Sequence, residues 1–265
     1  MTIQIEALLA GFFGTIILGF LVIPILKKLK VGQMERTEGP QSHLGKQGTP
    51  TMGGIIMILV ITVLTGFLCY DYIKDNQSSV AKNLIPIAAV SIGFGLVGFI
   101  DDFKKLVLKN TEGLKPLYKM IGLLIFSVAF VLYITKVLNI GTETYIPFIK
   151  TYFTLPVWLY IPFAILVLLG TSNAVNLTDG IDGLATSVTA LILTCLTVIG
   201  IIFNIKEIVV FGSITIGTCL GFLLFNLNPA KIFMGDTGSL MLGGAVAGMA
   251  LYLKMPLLLL IIALV

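Results

Sequence analysis

The stretch LIPIAAVSIGFGLVGFIDDFKK, residues 84–105, decides the fold class. Residues 84–100 are apolar or small throughout, and a run of about 20 such residues is what a helix needs to cross the hydrocarbon core of a bilayer. The run is continuous and does not alternate every second residue, which argues for a spanning helix and against a barrel strand. It ends on Asp101 and Asp102 side by side, followed by Lys104 and Lys105. Two adjacent carboxylates repel and stay ionised only where water, cations or a metal compensate them. The sequence therefore places a charged site at a membrane helix end, with Lys104, Lys105 and water at hand to compensate it.

Similar apolar runs recur at 3–26, 52–70, 117–135, 156–173, 184–203, 208–225 and 238–253. Together they predict an all-α polytopic membrane protein with eight complete transmembrane helices, and a partial ninth starting at Met255. The chain has 265 residues, of which 57% are hydrophobic and 11% charged. Its mean hydropathy of +1.05 excludes a water-soluble domain. The first run is not a cleaved signal, because Glu6 precedes it and Lys27, Lys28 and Lys30 follow it. Residues 255–265, MPLLLLIIALV, supply about half a crossing, so the reading is of a single domain over 1–265, truncated at its C-terminus. Cys69, Cys195 and Cys219 stand isolated in apolar runs, without disulfide or metal spacing, and read as packing residues. His43 is alone in a loop and reads as solvated.

Loop cations set the orientation. Eleven of the 17 lysines and arginines fall in the segments 27–51, 102–119 and after the seventh run, all on one side of an alternating topology. That side is expected to be cytoplasmic and the N-terminus outside. The net charge of +4 is a topology signal of this kind and no argument for nucleic acid.

On the cation-rich side lie Asp101, Asp102, Asp179, Asp182 and Asp236, five of the seven aspartates in the chain. Charges at membrane depth are costly unless paired or wetted, and mark function more often than not. The bland reading, that each marks the water interface, fits any one of them better than all five. Asn176, Asp179 and Asp182 stand three apart, so a continuing helix would line them along one side. Gly235 and Gly238 flank Asp236 before an apolar run, predicting a helix opening whose amides favour an anion such as phosphate, with Thr237 and Ser239 as caps. The glycines also suit close helix packing. Hard oxygen ligands without cysteine or histidine clusters suit magnesium or manganese, which shares its shell with substrate phosphates. Lys46, Lys104, Lys105 and Lys119 could neutralise a pyrophosphate. Phosphoryl chemistry at a membrane surface is the class these residues reach.

Four segments, GTPTMGG (48–54), GFIDDFKK (98–105), NLTDGIDGL (176–184) and NPAKIFMGDTGSL (228–240), resemble in their order and side the polyprenyl-phosphate phospho-sugar transferases. PTMGG and FMGDTGS are similar, more narrowly, to the phospho-N-acetylmuramoyl-pentapeptide transferase branch. The resemblance implies a ten-helix fold in the bacterial plasma membrane, a homodimer, and a cytoplasmic active-site cleft that nucleoside antibiotics occupy. It implies transfer of phospho-MurNAc-pentapeptide from UDP-MurNAc-pentapeptide to undecaprenyl phosphate, giving lipid I and UMP, with Mg2+ as cofactor. Asp236 then matches the magnesium ligand, with Asn176 as a further one. Asp101 and Asp102 match the catalytic pair, one of which deprotonates the lipid phosphate. Asp179 and Asp182 match the nucleotide region, and Leu177, Gly180, Asn226 and Phe233 the uridine pocket. Lys46, Thr51, Lys105, Lys119 and Gly235 match polar or close-approach positions of the same cleft. The family's histidine-rich loop has no counterpart here. A UDP-GlcNAc transferase of the same superfamily is the alternative reading; an ion-coupled transporter is a remote one, since no internal repeat is visible.

Overall fold

The computed structural model describes residues 3–29, 49–106 and 113–263. The expectations for Lys46 and His43 lie outside these described residues. The order is α1 (Ile3–Lys28), α2 (Gly54–Lys74), α3 (Ser78–Leu106), α4 (Pro116–Leu132), β1 (Glu143–Ile146), β2 (Thr151–Thr154), α5 (Val157–Thr178), α6 (Leu184–Ile202), α7 (Lys206–Asn226), α8 (Gly235–Tyr252) and the four-residue α9 (Leu259–Ile262). A π turn, Tyr133–Val137, prolongs α4, and a 3-10 turn, Pro256–Leu258, precedes α9.

Among the described residues, seven helices, α1 to α7, are long and apolar enough to cross a membrane. The expected eighth crossing, α8, is not one of them, and the reason is its place in the bundle. Every residue from Thr237 to Tyr252 is buried, with α2, α3, α5 and α6 packed around the helix. A helix that never meets lipid does not need lipid-like side chains; it needs small ones that let neighbours approach. A Cβ added to Gly54 of α2 would sit 2.1 Å from the Gly238 amide nitrogen, and one on Gly98 of α3 would sit 2.2 Å from the Asp236 carbonyl oxygen. Those glycines set the contact distance at the opening of α8. The packing reading of the glycines thus holds at this crossing.

The all-α expectation needs one correction. Between α4 and α5, β1 and β2 form an antiparallel hairpin in the register Glu143↔Thr154 to Ile146↔Thr151. A short Thr/Tyr/Ile/Phe segment carries strand preference, and too few residues to build a spanning helix. The three cysteines are free, two of them buried.

The bundle has two polar ends. At one, α3, α5 and α8 bring Asp102, Asn176 and Asp236 into contact. At the other, Asn83, Glu207 and Tyr252 meet from the far ends of α3, α7 and α8, and Lys254 pairs with Glu143 of the hairpin. The alternation of crossings read from the sequence agrees with this separation.

Candidate active site

The carboxylates at the first end are held in two different ways. Asp101 is in the last turns of α3, and Lys105, one helical turn on, donates to its Oδ2 at 2.7 Å. The same Lys105 Nζ reaches Asp236 Oδ2 at 2.9 Å. Lys119 Nζ, from the first turn of α4, lies 3.0 Å from Asp236 Oδ2 and 3.6 Å from Asp101 Oδ2. The Leu114 N–H donates to Asp101 Oδ1 at 2.7 Å. Two acids and two ammonium groups thus form one cluster at the meeting of α3, α4 and α8. The second ammonium comes from Lys119, and not from the sequence neighbour Lys104.

Asp102 faces elsewhere, as consecutive helical residues must, being about 100° apart. Its Oδ1 accepts the Asp236 N–H at 3.2 Å, and its Oδ2 accepts the Thr237 N–H at 2.8 Å and the Thr237 hydroxyl at 2.5 Å. The Gly235 N–H is near enough to Asp179 to favour its charged form. The first amides of α8 do bind anions, as expected, but those anions are the protein's own carboxylates. This corrects the expected phosphate seat. Asp102 is a helix cap supplied from another helix.

Asn176, in the last turn of α5, donates its Nδ2 to Asp236 Oδ1 at 2.7 Å and to Ser239 Oγ at 2.8 Å. Ser239 itself bonds back to the Gly235 carbonyl at 3.0 Å. Asp179 follows α5 directly, and its carboxyl is pushed up to about 7, first by burial and then by the negative charges of Asp236 and Asp102. Beside these, an apolar groove of about 380 Å³ opens between α5, α6 and α8. Ala174 and Thr178, a turn or less from Asn176, line its near part, and Phe163, Ile192 and Val246 its deeper part.

The glycosyl transferase family 4 model matches residues 84–254, which carry all of these groups. The chain belongs to this family. A phospho-N-acetylmuramoyl-pentapeptide-transferase signature matches residues 46–58, at the loop leading into α2. The phospho-N-acetylmuramoyl-pentapeptide-transferase of Clostridium botulinum (strain Eklund 17B / Type B) is 45% identical over 258 residues, covering 97% of this chain and 76% of that protein. The one of Clostridium beijerinckii is 47% identical over 256 residues, covering 96% and 76%. The one of Halalkalibacterium halodurans is 43% identical over 255 residues, covering 96% and 76%. Chain and family model thus agree from α3 to the end of α8.

Of the residues expected in a family cleft, the fold gathers Asp101, Asp102, Lys105, Lys119, Asn176, Asp179 and Asp236. Thr51 joins them: it is buried, and a Cβ on Gly235, whose φ is +73°, would sit 3.1 Å from its Oγ1 and 2.7 Å from Asp102 Oδ2. Others lie apart. The helix expected to align Asn176 with Asp182 stops at Thr178, and Gly183 turns at φ +76°. Asp182 instead accepts from Asn228 Nδ2 and the Ala230 N–H, each at 3.2 Å, tying the two loops together. Asn226 is buried with its amide used internally, accepting from Thr186 at 2.9 Å and donating to the Ile232 carbonyl at 3.0 Å. Phe233 holds the loop before α2 through backbone bonds to Pro50 and Gly53, at 2.8 and 2.9 Å. Leu177 and Gly180 are exposed beside Asn176 and Asp179.

The donor set fits a hard divalent cation in one respect and limits it in another. Asp101 and Asp236 aim oxygens at a shared point that two ammonium groups now fill. No group of three or more acidic, histidine or cysteine side chains could enclose an ion among the described residues. Such a site suits magnesium, which keeps waters and takes oxygens from phosphates. Asn176 meets Asp236 through its nitrogen, a donor that cannot ligate; its carbonyl oxygen would serve only with the amide turned over.

Proposed function

We propose that this protein transfers phospho-MurNAc-pentapeptide from its UDP carrier to undecaprenyl phosphate, releasing UMP and forming lipid I in peptidoglycan synthesis. The membership in the family and the muramoyl signature support the reaction class. The single observation that carries the site is the Asp101–Lys105–Lys119–Asp236 cluster, built from three helices at one end of a membrane bundle.

A non-bridging oxygen of the lipid phosphate attacks the β-phosphorus of the sugar nucleotide. The bond from that phosphorus to the α–β bridging oxygen breaks, and the oxygen leaves with UMP. Two anions resist this approach, so cationic groups in place before the reaction lower its barrier. Lys105 and Lys119 supply them, and their long stems let them move from carboxylates to phosphate oxygens. Asp101, which unlike its neighbour Asp102 is not committed to capping α8, is placed to accept a proton from the lipid phosphate. Asp236 and Asp101 would hold Mg2+, which when bound supplies further positive charge beside the phosphates. Asp102 and Asp179 fix the start of α8 and so fix Asp236. The apolar groove beside Asn176 suits the polyprenyl chain, with the lipid headgroup emerging at the cluster.

The cation-rich loops on the aspartate end support a cytoplasmic placement of the site in the bacterial plasma membrane, with the N-terminus outside. The family resemblance alone supports the homodimer and the binding of nucleoside antibiotics in the same cleft. The test is reconstitution with undecaprenyl phosphate and either UDP-MurNAc-pentapeptide or UDP-GlcNAc, with and without Mg2+. We expect UMP and lipid I from the muramoyl donor only, dependent on Mg2+, and a loss on the order of 10³-fold for Asp236→Asn. UMP release from UDP-GlcNAc alone would overturn the reading.

A further inference from the structure

The proposed reaction makes no use of the hairpin β1–β2 at the opposite end of the bundle. It is fixed along one side. The Tyr145 N–H donates to the Lys254 carbonyl at 2.8 Å, Lys254 Nζ meets Glu143 Oε2 at 2.6 Å, and the Thr142 hydroxyl donates to the Leu155 carbonyl at 2.5 Å. β1 packs on the 3-10 turn Pro256–Leu258, and Thr144 is 3% exposed there.

β2 overhangs that support. The register sets Phe153 directly opposite Thr144, and paired residues share one face of a sheet. Yet Phe153 is 55% exposed. The face that rests on protein under β1 therefore has no protein beneath it at β2. The overhang is apolar and aromatic: Phe148 and Ile149 at the tip are 85% and 69% exposed, and Trp158, in the first turn of α5, is 74% exposed. Lys150 stands among them, and no acidic residue occurs between Glu143 and Asp179.

This composition, aromatic residues with lysine at the mouth of a crossing helix, is that of a membrane–water boundary. The geometry agrees, because α4 with its π turn and α5 are each long and apolar enough to cross a membrane and the hairpin joins their ends. The exposed surface continues into the start of α5, where Val157 and Leu159 on either side of Trp158 are exposed as well. We propose that β2 and the tip Phe148–Ile149 dock on the lipid surface at this end of the bundle. The aromatic rings sit in the headgroup layer and Lys150 lies at the level of the lipid phosphates. The hairpin is thereby an interfacial anchor that fixes the depth of α4 and α5.

Trp158 is the only tryptophan, so single-tryptophan reporters are simple to make. W158F carrying either F148W or F153W would be reconstituted as the full chain in phosphatidylcholine–phosphatidylglycerol vesicles. UMP release at the rate of the W158F parent shows that each reporter is folded. We expect blue-shifted emission, strong quenching by lipids brominated high on the acyl chain, and little quenching by aqueous iodide. Full iodide quenching with none by bromolipid would show a water-facing hairpin. Shielding from iodide without bromolipid quenching, varying with the protein-to-lipid ratio, would show a second copy on this surface. Either result overturns the proposal. Should F153W disturb the strand pairing, the tip reporter F148W carries the same test, and neither outcome bears on the proposed transferase reaction.

Discussion

The two ends of α8 each hold carboxylates, by opposite means. At its first turn, Asp101 and Asp236 share two lysine ammonium groups, and both lysines approach from other helices. At its last turn, Glu207 from α7 accepts from the Tyr252 hydroxyl and from Asn83 Nδ2. The first arrangement balances charge with ammonium groups on long flexible stems, which can turn from a carboxylate to another anion. The second answers a carboxylate with neutral donors from two neighbouring helices, and gives nothing to exchange. One end is equipped for chemistry and the other is a brace.

The largest effect that would sharpen this contrast comes from the lysines. Replacing Lys105 and Lys119 together by Met should lower turnover by about 10² to 10³-fold, read as UMP release, and also lower the thermal unfolding midpoint, because Asp101 and Asp236 lose their counter-charges. A drop in stability with activity retained would make the cluster a brace too. The next effect separates Asp102 from Asp101. Asp102→Ala removes the cap of α8 and should cost about 1–2 kcal/mol of stability, with activity falling through displacement of Asp236. Asp101→Ala should cost activity without that loss in unfolding midpoint.

A smaller effect is in the pH dependence of stability. Asp179, raised to about 7 in the fold, binds its proton more tightly folded than unfolded. Folding stability therefore declines as pH rises between about 4 and 7 and is level above. Asp179→Asn should flatten that slope, measured by thermal unfolding in detergent with divalent cations chelated. The smallest effect belongs to the brace: Glu207→Gln keeps an acceptor for Tyr252 and Asn83, and should leave UMP release within about twofold of the parent. A large catalytic loss there would break the comparison outright.

Much of this was legible in the chain because lipid imposes a crude rule. Long apolar runs locate α1 to α7, though α3 extends six residues beyond its run at each end and α5 five beyond its last, and alternation put the aspartates on one side. The Asp101–Lys105 pair follows from spacing alone, one turn apart on a helix. What the sequence could not show is which way adjacent side chains turn. Asp101 and Asp102 looked like a matched pair, but one faces the lysines and the other caps α8. Asp179 and Asp182 look equivalent by spacing, but α5 stops at Thr178 and the turn that follows parts them. The sequence offers Lys119 as one of four lysines fit to meet a phosphate but not its place between Asp101 and Asp236, and Ser239 as a helix cap but not its contact with Asn176. The hairpin escaped because four-residue strands carry too little periodicity to compete with helix signals around them.

The capped opening of α8 has a last implication, for how tightly such an enzyme can hold what it binds. With its foremost backbone donors already engaged, it offers arriving phosphates a grip made of flexible stems and no rigid cradle. A grip of that sort adapts to a headgroup that changes from one phosphate to two during the reaction, and it lets the finished product go.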